Sequence, residues 1–434
     1  MQEQHADTQS SGGAPSPSKP LCVKCRLHEG TLDSRSQLVC RDCFSKFISA
    51  KCVKQVGIIG KDIRNPGSGS GAASQKKKYV LGLSLGVSSS VLVHLLNENV
   101  EYQLAKGRAA PFDLTVVHVD SSSLFPNNGS SSSAEETLDR YRKRYPRFEF
   151  RRVPVSDVLN LSTVDWSTLL PPSDEKTRPE NEQQLSELVD RLPSSTSRTD
   201  ILRLFTRHLL ISATRQNECH ALLLGHTTTA LAELTLAETA KGRGFSLPWQ
   251  VNDGPVAVVD YQPAADEPTT SQIQIYHPLR DLLRKELVTY ATELTTPPLV
   301  SDLAISISSH PSSGPSQQVV SHKDLSIEEV MFLYFAEVEE NYPSVVANVA
   351  RTTGKLVRIL GGPGAAGNEE AEDEDETTAN GTSDKKRERC GLCSMPLDEQ
   401  GDERWRGELG DEDVHQKEGG KGRICYGCER SLRG

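Results

Sequence analysis

Aromatic residues are scarce in this 434-residue chain, at 5%, and there are only three Trp and three Met. With 36% hydrophobic residues, it has material for one large core and leaves several stretches too polar to pack. Long apolar runs are missing too. Even Tyr79 to Leu96, the most apolar stretch, is interrupted by serines, glycines and His94, which excludes a bilayer-spanning helix and a membrane partner. Met1 to Pro20 is rich in Gln, Ser and Pro and has no apolar centre, so no targeting peptide is expected and the expected compartment is the cytoplasm. Nor is there an overall cationic excess: a net charge of −10 argues against indiscriminate binding to nucleic acid.

What is present is unevenly spread. Lys19 to Lys78 holds thirteen Lys or Arg against four acidic residues, a local +9 that leaves −19 for the rest. Within it, Lys76, Lys77 and Lys78 are the expected RNA contacts. The run Glu369 to Glu376 would repel phosphate. Eight of the ten cysteines form four Cys-x-x-Cys pairs. Cys22, Cys25, Cys40 and Cys43 have fourteen residues between pairs, a spacing that folds back into a closed tetrahedral site. Cys390, Cys393, Cys425 and Cys428 repeat the arrangement across a polar gap of thirty-one residues. Two zinc ions are expected, with an iron–sulfur cluster as the alternative for either set. Cys52 and Cys219 stand outside the pairs and read as packed thiols.

The organisation follows from these landmarks: a disordered tail at 1–20, a four-cysteine module at 21–64 and a Gly/Ser linker at 65–78. An α/β domain is expected at 79–360, then a low-complexity linker at 361–389 and a second cysteine module at 390–434. Strands are expected at 79–83, 114–119, 148–155, 221–224 and 273–276. Between them fall helices at 134–144, about 199–214 and 228–241, with an insertion at 156–197. Further helices are expected from about 281, at 326–339 and at 343–360. Strands alternating with helices imply a doubly wound parallel sheet with ligands at the C-terminal strand ends.

The first strand runs into Ser84-Leu85-Gly86-Val87-Ser88-Ser89 and then a helix, a combination whose free amides suit an anion. Ser84, Gly86 and Ser89 match the Ser-Gly-Gly-x-Asp-Ser pattern of the PP-loop in ATP-pyrophosphatases, while Leu85 and Ser88 replace its second residue and its Asp. With the cysteine pairs, the chain resembles the cytoplasmic tRNA 2-thiolation protein 2 family. The resemblance implies an adenine nucleotide alpha hydrolase-like fold and a heterodimer with a catalytic PP-loop thiolation subunit. It also implies tRNA as substrate, sulfur from a thiocarboxylated ubiquitin-like carrier, and zinc modules that face tRNA.

The departures from that pattern imply lost chemistry. Related thiolation enzymes carry Gly-His-Asn-x-Asp-Asp after the fourth strand, where this chain has Gly225-His226-Thr227-Thr228-Thr229-Ala230. Their catalytic Cys-x-x-Cys corresponds to Ser194 to Ser197. Ser84, Gly86 and Ser89 would retain at most some affinity for ATP, and no catalytic residue is expected. Arg198 and Arg280 are candidate phosphate contacts. Two rival functions are an active ATP-dependent tRNA sulfurtransferase with a variant loop, and a zinc-module adaptor for a ubiquitin-like protein.

Overall fold

The computed structural model describes residues 20–63, 76–124, 134–169, 179–261, 268–305, 325–358, 389–397 and 424–434. The expected tail before Pro20, most of the Gly/Ser linker, the low-complexity segment up to 388 and the gap within the second cysteine set fall outside these residues. The chain divides into two compact units, Met1–Ile48 and Ser49–Gly434.

In the first unit, β1 (Leu32–Ser34) pairs antiparallel with β2 (Gln37–Val39). Arg35 and Ser36 join them, both at positive φ (55° and 67°), as a two-residue hairpin turn requires. Helix α1 (Arg41–Asp62) follows, and its first turns bury Phe44 and Ile48.

The second unit is built on a six-stranded sheet. Its strands are β3 (Lys77–Gly82), β4 (Phe112–Asp120), β5 (Glu149–Pro154), β6 (Ala221–Leu224), β7 (Gly254–Asp260) and β8 (Thr269–Tyr276), in the order β5-β4-β3-β6-β8-β7. All neighbours are parallel except β7 and β8. Tyr79, Val80 and Leu81 are all buried, because both faces of β3 are covered. The helices of this unit are, after α1, α2 (Val87–Ala105), α3 (Ala134–Arg144), α4 (Trp166–Leu169), α5 (Glu182–Asp190), α6 (Ser195–Gln216), α7 (Thr228–Ala240) and α8 (Leu247–Val251). Next come α9 (Arg284–Thr289), α10 (Leu299–Asp302), α11 (Ile327–Asn341), α12 (Pro343–Thr353) and α13 (Tyr426–Arg433). The doubly wound sheet expected from the sequence is present. Sequence reasoning missed β7, an edge strand whose Val256 to Val259 run is flanked by Asp253-Gly254-Pro255.

Reading only the parallel strands gives the order third-second-first-fourth-fifth. The direction of winding therefore reverses between β3 and β6, and the C-terminal ends of these two strands are where a doubly wound sheet places its ligand crevice. That reversal point positions the candidate site.

Candidate strand-end crevice and cysteine centres

The turn after β3 forms one wall of the crevice. Leu85 sits at φ +61°, where the family pattern has glycine, so the turn keeps its shape at a backbone cost. Gly86 is the N-cap of α2, and no side chain caps that helix end. The turn's hydroxyls are spent internally. The Ser84 amide donates to Ser89 Oγ at 3.2 Å, the two hydroxyls lie 3.1 Å apart, and Ser89 Oγ donates to the Gly86 carbonyl at 3.1 Å. Ser90 Oγ also reaches the Gly86 carbonyl, at 2.7 Å, and contacts Tyr141 Oη. Ser84, Gly86 and Ser89 are thus brought together, with their side chains bonded to one another.

The opposite wall begins at Gly225. A Cβ there would lie 2.9 Å from Ser89 Cα and 3.0 Å from Ser89 N, so only glycine lets β6 approach the turn this closely. Gly225→Ala is expected to destabilise the unit by about 1–3 kcal/mol, read as a lower denaturant midpoint. An unchanged midpoint would mean that α2 gives way freely.

The residues after Gly225 are also committed to the fold. Thr227 Oγ1 accepts the Ala230 amide and caps α7, and Thr228 Oγ1 donates to the Arg280 carbonyl at 2.6 Å. Thr229 Oγ1 donates to Glu339 at 2.6 Å and accepts the Arg284 amide at 3.0 Å. The ring of His226 lies 5.1 Å from that of His277, which the sequence did not flag. His277 donates from Nδ1 to Asp253 at 2.8 Å, and Arg280 pairs with the same carboxylate. Burial, and then His277, push His226 down to about 3, so it is neutral. His226 Nδ1 and His277 Nε2 are buried without a hydrogen-bond partner among the described residues.

At the N-terminus of α6, Ser194 Oγ accepts the Ser197 amide at 3.1 Å and lies 2.9 Å from Ser197 Oγ. The hydroxyls standing in place of the thiols therefore serve as a helix cap.

Each cysteine set converges. In the first unit the sulfurs of Cys22, Cys25, Cys40 and Cys43 lie within 4.8 Å of one another, with Cys25 and Cys40 at 3.8 Å. Against the cost of burial, the backbone amides of Cys25, Cys40 and Lys24 draw the Cys22 thiol down to about 6, while Cys40 pushes Cys43 up to about 12. In the second unit Cys390, Cys393, Cys425 and Cys428 meet the same 4.8 Å limit, with Cys393 and Cys425 at 3.8 Å. Against burial, hydrogen bonds from the other three hold the Cys390 thiol well below its ordinary range, and Cys390 in turn pushes Cys425 and Cys428 well above it. Four thiolates this close repel one another, so all can ionise only around a cation. Cys52 is buried and its thiol is pushed up to about 12 by burial, as suits a packed residue.

The second cysteine set, read from the sequence as a separate module, lies within the same compact unit as the sheet. Its four cysteines are buried in one hydrophobic cluster with Leu204, Phe205 and Leu209 of α6. His208, held neutral by burial with its pKa down to about 4, donates from Nε2 to the Leu392 carbonyl at 2.7 Å. Cys428 Sγ accepts from Arg243, which is wholly buried. Arg243 also meets Asp200 and Glu238, both 0% exposed, and Lys241 contacts the same two carboxylates at 2.7 and 2.8 Å. Against burial, Arg243, Lys241 and Arg203 hold the Asp200 carboxyl well below the usual range. Ser431 of α13 donates to Asp200 at 2.7 Å, and a Cβ on Gly427 would fall 2.5 Å from the Lys241 carbonyl. None of these charged partners was singled out in the sequence, because they come from α6, α7 and the segment after α7, which only the tertiary fold brings together.

Lys76, Lys77 and Lys78 stand at the start of β3, about 20 Å of strand from the turn. Lys76 pairs with Asp113 at 2.5 Å, Lys77 reaches the Gly60 carbonyl, and Lys78 is exposed. Arg198 lies in the first turn of α6, and Arg280 is held by Asp253.

Sheet order, the small-residue turn and the close approach at Gly225 define a doubly wound α/β protein. A family model described as cytoplasmic tRNA 2-thiolation protein 2 matches residues 326–430. Proteins of that name are 34% identical in Phaeosphaeria nodorum, covering 100% of this chain and 97% of that one, and 36% identical in Sclerotinia sclerotiorum, covering 76% and 81%. The chain belongs to the cytoplasmic tRNA 2-thiolation protein 2 family. Among solved structures, the U34-tRNA thiolase NcsA from Methanococcus maripaludis with its 4Fe–4S cluster is similar at 17% identity and a TM-score of 0.46, over 77% of this chain and 85% of that one. No helix among the described residues is long and apolar enough to cross a membrane.

Proposed function

We propose that this chain is the non-catalytic subunit of a cytoplasmic complex that 2-thiolates the wobble uridine of tRNA. Its partner would be a catalytic PP-loop subunit, and sulfur would come from a thiocarboxylated ubiquitin-like carrier. The observation that carries this reading is that Thr229, Ser194 and Ser197, which stand where an acid and the two thiols would be, are all engaged in the fold. Thr229 is bonded to Glu339 and Arg284, and Ser194 and Ser197 cap α6. Backbone amides at Gly86 suit a phosphate, but the crevice turn offers no carboxylate for a magnesium ion. Single-turnover thiolation of tRNA by the chain alone, by the partner alone and by both together tests this reading. Product from the chain alone would overturn it.

Each cysteine set would hold one zinc ion. A bond of about 2.3 Å to each sulfur puts neighbouring sulfurs about 3.8 Å apart in a tetrahedron, the separation of both Cys25–Cys40 and Cys393–Cys425. A multi-iron cluster needs its cysteines spread further apart. Closed four-sulfur sites leave no open position, so the ions would supply folding energy and no Lewis-acid step. Elemental analysis of chelator-free protein should give two zinc ions per chain; a folded, metal-free chain would count against the assignment.

A further inference from the structure

A second polar feature lies away from the crevice, between α2, α3 and the segment leading into α10. It is a cleft of about 460 Å³ lined by His94 and Asn97 of α2, Arg140, Lys143, Arg144 and Tyr145 at the end of α3, and Thr296, Pro297 and Asp302. The volume is that of a small-ligand site. Asn97 lies ten residues into α2, about 15 Å along the helix from its first residue, so the cleft and the turn are distinct.

Its charges are unbalanced. Arg144 pairs with Asp302, the one carboxylate among the described residues that line the cleft, and donates to the Pro297 carbonyl at 3.1 Å. Arg142, on another side of α3, is taken by Glu135 and Asp139. Arg140 and Lys143 are exposed and have no ion pair or hydrogen bond among the described residues, so the cleft keeps two uncompensated positive charges. Cations near a helix C-terminus also answer its dipole, and that would explain Lys143 alone. It does not explain Asn97. This side chain is 7% exposed, lines the cleft, and makes no hydrogen bond among the described residues. His94 beside it is otherwise occupied, contacting Tyr145 Oη through Nδ1 and Glu98 through Nε2. A buried amide without a partner, beneath two free cations, is placed to donate to an anion that the cations attract.

We propose that this cleft binds a phosphate ester, with Asn97 donating from its floor and Arg140 and Lys143 gripping the charge at its mouth. On the thiolation reading, on which this step of the proposal rests, the ester belongs to the tRNA backbone. The same chemistry is offered by a free nucleotide.

The full chain is tested with tRNA and, separately, with uridine 5′-monophosphate, as wild type, Arg140→Glu/Lys143→Glu and Asn97→Leu. The charge changes lie on exposed positions, so the first variant keeps its fold. With tRNA it should bind at least tenfold more weakly, with the salt slope lowered by about 2. Asn97→Leu should weaken binding about threefold or more without changing the slope. Loss of uridine monophosphate binding with tRNA binding unchanged would identify a free ester as the ligand and still support the cleft. Equal binding of both probes by wild type and both variants would overturn the proposal, as would a wild type that binds neither. A wild type that binds tRNA outside the cleft leaves the thiolation reading standing, whereas one that takes only the monophosphate in the cleft supports the site and counts against that reading.

Discussion

Cys428→Ser is expected to destabilise the whole α/β unit, not only its last helix. Cys428 is wholly buried, accepts from Arg243, and shares a hydrophobic cluster with α6 and Trp249. In the proposed zinc site, losing one ligand would free the ion and leave the remaining thiols without the charge that lets them ionise together. It also removes an acceptor from Arg243, whose other bonds hold Asp200 and Glu238 in place. Breaking a buried charge network costs about 3–5 kcal/mol, and loss of the metal adds to it. A domain has about 5–15 kcal/mol in all. The expected result is a fall in Tm of about 10 °C or more, with amide exchange accelerated along α6 and the central strands. Cys40→Ser provides the contrast, since its cluster belongs to the first compact unit and should loosen residues 20–48 alone. Native exchange along α6 in Cys428→Ser would show that α13 is only an appendage.

That expectation was out of reach of the sequence, although its ingredients were visible. Spacing alone located both cysteine sets, since four thiols in two close pairs have few other ways to be satisfied. The central strands were legible because β3, β4 and β6 are short apolar runs, and α6 because its apolar residues recur at helical spacing. The edge strand β7 was not, since a Pro and a Gly open it and its run of apolar residues is equally compatible with a loop. Charged partners such as Asp200, Glu238 and Arg243 look like surface residues in a one-dimensional reading. They come from α6, α7 and the segment after α7, and only tertiary closure buries them together. His277 and Asp253 were hidden for the same reason, at the ends of the antiparallel pair that extends the sheet.

Restoring the missing side chains should not restore chemistry. The combined variant Ser88→Asp, Ala230→Asp, Ser194→Cys and Ser197→Cys is expected to show no single-turnover thiolation of tRNA by itself, under conditions where the wild type with its partner gives product. Ser88 lies in the first turn of α2, where a carboxylate is tolerated by the helix dipole. Ala230 is only partly buried, so Asp can be accommodated there as well. The thiols are harder to place. Ser194 caps α6 and Ser197 is buried against it, so Cys at both positions removes the cap at a cost of about 1 kcal/mol. Thr229, where the first acid of the pair would stand, is held by Glu339 and the Arg284 amide. A carboxylate there would face Glu339 directly, which like-charge repulsion forbids without rebuilding α11. The fold has thus closed around the lost groups, and four substitutions do not reopen it. Product from the combined variant alone, above that from the wild type alone, would show instead that the crevice remains an enzyme lacking only its side chains.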